Sequence, residues 1–325
     1  MQAPFSVTVG SPAWRQEVED WIRERSAEDG REVNGPVEQP RIRPWSTQLI
    51  VPTDRGRLWF KANCAALAFE PAVQWALADI APTEVDRPVA IDPSRGWMLT
   101  ADRGATLSAS HEPTLDDWCR VVRNAALLQQ AAADQGPLLL AAGLPDCSPE
   151  SVPARLEDLV ARWSGLPPGH PLRLEEPVAD RILAVGDRVA AAARTLADSP
   201  LPTTFQHGDL HPNNVFAVDG GLRIFDFGDA HWAHAAEVLG ASRSWVSGVT
   251  TLPWRPIEEA YLEAWGLGLS TDDLEELLRA ATLCTPVNRS LTWWNAMTEA
   301  TDEEWQHWAT VSGEYLPALA GPVHQ

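Results

Sequence analysis

The densest run of reactive side chains is Phe205-Gln206-His207-Gly208-Asp209-Leu210-His211-Pro212-Asn213-Asn214-Val215. Asp209 and Asn214 stand five residues apart on a loop that leads into a strand. Two apolar runs, Val215–Val218 and Leu222–Phe225, flank the turn Asp219-Gly220-Gly221 and read as a hairpin. Asp226-Phe227-Gly228-Asp229 follows, so the hairpin returns Asp226 beside Asn214. An Asn carbonyl and an Asp carboxylate are ligands for a hard divalent cation, whose shell triphosphate oxygens and water can complete. A separate carboxylate, Asp209, would orient an attacking hydroxyl and accept its proton. Together these are the parts of phosphoryl transfer.

A cation for the phosphates is also legible. Of 25 basic residues, Lys61 is the single lysine. A lone lysine kept against such an arginine bias marks a place for a compact charge on a flexible stem, as a phosphate requires. Lys61 ends a strand candidate, Leu58-Trp59-Phe60-Lys61, after the turn Asp54-Arg55-Gly56. Glu70 lies nine residues on, in the following helix.

The spacing Asp209-x-x-x-x-Asn214, the Asp226-Phe227-Gly228 triplet and the Lys61–Glu70 pair occur in the order of the kinase template. On these residues the chain resembles the aminoglycoside-phosphotransferase and choline-kinase-like family of small-molecule kinases, over roughly residues 35–240. The resemblance implies an α+β, bilobal protein-kinase-like fold, with ATP or possibly GTP as co-substrate and Mg²⁺ as cofactor. It implies Asp209 as catalytic base, Asn214 and Asp226 as metal ligands, and Lys61 on phosphate with Glu70 as its partner. Leu99-Thr100-Ala101 would be the hinge whose backbone meets adenine, and His207 a structural brace. The chain departs from protein kinases in having His211 two residues after Asp209 and in lacking an A-P-E motif after Asp226. It also lacks G-x-G-x-x-G between its first strands. Arg43-Pro44-Trp45-Ser46-Thr47 stands there instead, with Ser46 and Thr47 as candidate phosphate contacts.

These groups need elements to hold them. Residues 11–27 carry Trp14, Val18, Trp21 and Ile22 on one helical face. Residues 36–53 read as extended structure broken near Pro44-Trp45-Ser46, with a strand at 48–51. A helix is expected over 65–80 on the stripe Phe69, Val73, Leu77 and Ile80, ended by Pro82. Short strands at 88–91 and 97–100 complete a small antiparallel lobe. Beyond Asp102 the pattern turns helical, at 115–133, 151–163 and 178–197. The expected division is 1–101, a nucleotide-binding lobe preceded by an N-terminal helix, and 102–325, a catalytic and substrate-binding lobe.

The chain of 325 residues has a formal net charge of −20, which opposes binding to nucleic acid or anionic membrane. No apolar run is long enough to span a bilayer, the start does not read as a secretory signal, and four scattered cysteines suit a reducing cytoplasm. Residues 203–325 hold 17 Asp and Glu against five Arg, with eight Trp, a composition that suits a cationic small-molecule acceptor. The bland reading of the acidic run 272–276 is a solvated helix face. Three alternatives stand beside the kinase: a nucleotide-binding module without turnover, a kinase of a neutral sugar or other metabolite, and a two-metal phosphoesterase built on Asp209-Leu210-His211, for which further downstream ligands are missing.

Overall fold

The computed structural model describes residues 3–218 and 220–321, so Asp219 of the expected hairpin turn lies outside the described residues. Ser11 caps the helix α2 (Pro12–Glu28), which follows the short α1 (Phe5–Val9). Strands β1 (Glu38–Ile42), β2 (Ser46–Thr53), β3 (Gly56–Asn63), β4 (Ala90–Asp92) and β5 (Trp97–Ala101) form one antiparallel sheet, ordered β1-β2-β3-β5-β4. Side chains alternate between its faces. Leu49, Val51, Leu58, Phe60 and Leu99 fill one face, all fully buried. Trp14 and Trp21 of α2 close over this side, edge-on to Phe60 and Trp97 at centroid distances of 5.7–6.3 Å. The other face carries Gln48, Lys61 and Met98, which the register places directly opposite one another.

The helix expected over 65–80 is a 3-10 turn, Ala65–Leu67, then α3 (Glu70–Ile80). Pro71 suits a helix start, where its missing N–H is not needed, and this puts Glu70 at the helix entrance beside the sheet.

The rest is mostly helical: α4 (Leu107–Ser110), α5 (Leu115–Ala132), α6 (Gly136–Ala141), α7 (Val152–Ser164), α8 (Glu176–Leu183), α9 (Gly186–Ala197), α10 (Val238–Val249), α11 (Arg255–Trp265), α12 (Thr271–Met297), α13 (Asp302–Gly313) and α14 (Tyr315–Ala318). The single helix expected over 178–197 is two, α8 and α9, and the break falls just before Gly186, the weakest helix former in the run. A Thr114–Asp117 capping box starts α5, whose Trp118, Val121, Val122, Ala125 and Leu128 are buried as the periodicity requires. Two small ladders hold the central loops. Strand β6 (Thr203–Gln206) pairs with β9 (His231–His234), and β7 (Val215–Val218) pairs with β8 (Gly221–Ile224). Strand β9 was not anticipated, because four residues around two histidines carry no strand pattern.

The C-terminal helices reach back to the sheet. Trp45, in the turn between β1 and β2, lies edge-on to Trp293 and Trp308 at 5.4 and 4.8 Å. Glu299 accepts the Phe5 and Ala65 N–H groups, through its backbone carbonyl and its carboxylate respectively. No helix among the described residues is long and apolar enough to cross a membrane.

Candidate active site

Lys61 is 8% exposed, and its ammonium reaches both oxygens of Glu70 at 2.7–2.8 Å and Asp226 Oδ1 at 2.6 Å. Glu70 is fully buried. Its Oε2 accepts from Asn63 Nδ2 at 2.8 Å and its Oε1 from the Phe227 N–H at 3.0 Å, so β3, α3 and the segment after Asp226 meet on one carboxylate. Burial pushes the Glu70 carboxyl above its ordinary value, against the pull of Lys61. Burial also opposes ionisation of Asp226, but Lys61 foremost and Arg41 among others outweigh it, and this carboxyl stays below its usual value. The two carboxylates in turn outweigh the burial of Lys61 and raise its pKa, so it is charged. Asp226 is the only non-glycine residue with positive φ among the described residues, at 67°. Such a conformation is held only where surrounding contacts over-determine it.

Asp209 is held from three sides. His207 is buried, donates Nε2–H to the Phe225 carbonyl at 2.9 Å and accepts the Asp209 N–H at Nδ1, 3.3 Å away. Burial lowers its pKa, which suits this neutral brace. His211 accepts the Asn213 N–H at Nδ1, so its proton sits on Nε2, 3.3 Å from Asp209 Oδ2. Its ring packs on Trp245, with centroids 4.5 Å apart. Arg289 from α12 donates to the Gly208 carbonyl at 3.1 Å and pairs with Asp229 at 3.4 Å. Burial would raise the Asp209 carboxyl, but His211 and then Arg289 hold it below its ordinary value. Gly208 has φ +80°, and a Cβ there would collide with the Asp229 carbonyl oxygen. Sequence reasoning gave His211 no role beyond the loop and missed Arg289, Asp229 and Trp245. No motif marks Arg289, which arrives from 80 residues away in the chain.

The register Val215↔Ile224 brings Asn214 beside Phe225, whose N–H donates to the Asn214 carbonyl at 3.1 Å. Asn214 spends its side-chain N–H on the Asp209 carbonyl at 2.9 Å, and its Oδ1 meets no donor among the described residues. With Oδ1 of Asp226 on Lys61, its Oδ2 is the second hard oxygen on offer. The pair fits Mg²⁺ sharing its shell with phosphate and water. No group of three or more His, Cys, Asp and Glu among the described residues could hold a metal alone.

Two cavities meet this cluster. One, about 250 Å³, is walled by Gln48, Trp59, Lys61, Met98, Thr100 and Phe216 and reaches Asp226. Thr100 and Ala101 line it, and the wall continues through Arg103, Gly104 and Thr106. Leu99 does not line it, because its side chain faces the α2 side of the sheet. Ser46 and Thr47 do not line it either. Thr47 lies on the α2 face, and its hydroxyl is committed to Gln39 and the Arg41 carbonyl, both at 2.8 Å. The phosphate contact expected of Thr47 is thereby lost; Ser46 shares the face of Gln48 and Lys61 but is buried short of the cavity, and Gln48 lines it instead.

The second cavity, about 520 Å³, opens on Asp209 and is walled by α10, α12 and Tyr315. Its apolar wall includes Ala236, Ala241, Trp245, Leu278 and Ala281. Arg243 and Arg289 also line it, paired with Glu275 and Asp229, and the carboxyl groups of Asp209 and Glu237 face the same space. Pro286 sits inside α12 and cannot donate to the Thr282 carbonyl on the same wall. The acidic run 272–276 serves the start of α12: Asp273 completes the Ser270 capping box and Glu275 meets Arg243.

A search of curated proteins matched nothing to this sequence. Among solved structures, the chain is similar to a macrolide 2′-phosphotransferase from Brachybacterium faecium, with 17% identity, TM-score 0.55 and coverage of 94% of this chain and 98% of that one. It is similar to a Plasmodium vivax ethanolamine kinase at 12% identity and TM-score 0.62, covering 91% and 84% of the two chains. It is also similar to the GDP complex of aminoglycoside 2′-phosphotransferase-IIIa at 14% identity and TM-score 0.57, covering 93% and 98%. Identities this low speak to fold alone, and that fold is the bilobal protein-kinase-like one. The model of the phosphotransferase enzyme family matches residues 65–281, from the turn before Glu70 to the middle of α12, and on that match the chain belongs to this family.

Proposed function

We propose that the protein is a kinase that transfers the γ-phosphoryl group of ATP or GTP to a hydroxyl of a small molecule. The observation that carries this reading is the convergence at Asp226. There Lys61 closes one cavity, while Asp209 faces the other.

The nucleotide would lie in the first cavity, with its base on the Thr100–Gly104 backbone and its phosphates toward Lys61. Asn214 and Asp226 would hold Mg²⁺. When bound, the ion would supply positive charge to the phosphate oxygens. Lys61 neutralises phosphate charge, and Glu70 fixes the direction of its stem. Asp209 is ionised, aimed by His207 and His211, and aligns the acceptor hydroxyl and takes its proton. No covalent intermediate with the protein is required, so the chemistry is positioning and electrostatics. The acceptor itself would present a hydroxyl to Asp209, a cationic or other hydrogen-bond-donating group toward Glu237 and the Thr282 carbonyl, and an apolar body against Trp245 and Leu278. Neighbours whose names include aminoglycoside, macrolide and ethanolamine acceptors support a small-molecule acceptor.

The test is turnover with Mg²⁺ and ATP or GTP over a panel of amino alcohols, amino sugars, neutral sugars and larger glycosides. Mass spectrometry should find one phosphoryl group added to an acceptor. Tight nucleotide binding with no phosphorylated product from any of these classes would instead leave a binding module.

A further inference from the structure

The turn between β1 and β2 cannot fold over a phosphate as a glycine loop does. The Arg43 N–H donates to the Ser46 carbonyl at 2.9 Å, and the Trp45 carbonyl accepts the Cys64 N–H at 2.9 Å. The Trp45 indole is pinned by Trp293 and Trp308 from the C-terminal helices. A residue just before this turn offers another grip. Arg41 pairs with Gln48, Gln48 with Lys61 and Lys61 with Met98, a single row across four strands. Residues directly opposite in antiparallel pairs project on the same face. Gln48, Lys61 and Met98 all wall the nucleotide cavity, so Arg41 projects on that face as well. Strand spacing puts its backbone roughly 10 Å from that of Lys61, a gap that two long cationic side chains can span around a phosphate group.

The Arg41 side chain makes no hydrogen bond or ion pair with the described residues, and its Nε is buried without a partner. Fifteen of the other arginines among the described residues lie within salt-bridge distance of a carboxylate on another side chain. The charge of Arg41 nevertheless reaches Asp226. A guanidinium fork matches two phosphate oxygens, and one left without a partner in the same cross-strand row as Lys61 has its acceptors still to come.

We propose that Arg41 binds the terminal phosphates of the nucleotide opposite Lys61, in place of the backbone amides of a glycine-rich loop. This assignment rests on the kinase reading above. Equilibrium binding of ATP with Mg²⁺, and of adenosine alone, to the intact protein and to Arg41→Gln and Arg41→Lys tests it. Arg41→Gln should weaken ATP binding by about tenfold or more and leave adenosine unchanged, and Arg41→Lys should recover part of the loss. Unchanged ATP affinity in Arg41→Gln, or an equal loss for ATP and adenosine, would overturn the role of Arg41 while the kinase reading stood. Wild-type protein that binds neither ATP nor GTP would overturn both.

Discussion

Replacing Lys61 with Met tests the buried cluster on which the site is built. The ammonium meets two oxygens of Glu70 and one of Asp226 within 2.8 Å, and Glu70 is fully buried. Removing one partner of a buried ion pair costs about 3–5 kcal/mol. Here the lower end applies, because Glu70 keeps Asn63 and the Phe227 N–H, and Asp226 is partly open to solvent. Without the cation the Glu70 carboxyl, already raised, climbs further, and that of Asp226 loses the main charge holding it down. A carboxyl raised in the folded state contributes stability at low pH that is lost as pH rises. The deficit of Lys61→Met against wild type should therefore be about 3 kcal/mol near pH 8 and shrink toward about pH 5. Urea unfolding at the two pH values measures it. A deficit below about 1 kcal/mol near pH 8, or one that grows on acidification, would refute the argument. Lys61→Arg keeps the charge but not the compact head that meets three oxygens, and phosphoryl transfer should fail in that variant. Normal turnover there would undo the reasoning from the single lysine.

Glu237 gives a second pH signature. Burial pushes its carboxyl from the ordinary 4.5 up to about 7, so folding disfavours its charged form by roughly 3 kcal/mol. That stability is present at low pH and is lost as pH rises through about 7. Glu237→Gln should match wild type near pH 5 and exceed it near pH 8 in the same unfolding assay; a variant weaker at both would contradict this. Gly208→Ala should cost more than about 2 kcal/mol, because its φ is +80° and the new Cβ meets the Asp229 carbonyl. A melting temperature equal to wild type would show that the loop tolerates other geometries.

Much of the site was legible because its chemistry is carried by short local spacings. Asp209, Asn214 and Asp226 follow from one loop and one hairpin, and Lys61 from its uniqueness in the chain. Their partners were not legible, because they come from elements with no fixed spacing to the motif. Arg289 is one residue of a 27-residue helix whose sequence otherwise reads as packing. Glu237 follows a strand too short to signal itself. Thr47 was misassigned for a different reason: the sequence identifies strand β2 but not which of two alternating faces meets the cavity, and a shift of one residue exchanges Thr47 for Gln48. The acidic C-terminal segment was legible as charge, while its pairing with Arg243 and with the start of α12 needed three-dimensional contacts.

The most direct test of the central claim uses Asp209→Asn, which keeps the shape of the loop and removes the proton acceptor. Rapid mixing of wild type and variant with Mg²⁺, nucleotide and an accepted acceptor gives the rate of the phosphoryl-transfer step, alongside the nucleotide dissociation constant. Transfer slowed by about a hundredfold or more, with nucleotide affinity unchanged, is the predicted result. Transfer at the wild-type rate would contradict the assignment of Asp209 and the two-cavity mechanism built around it.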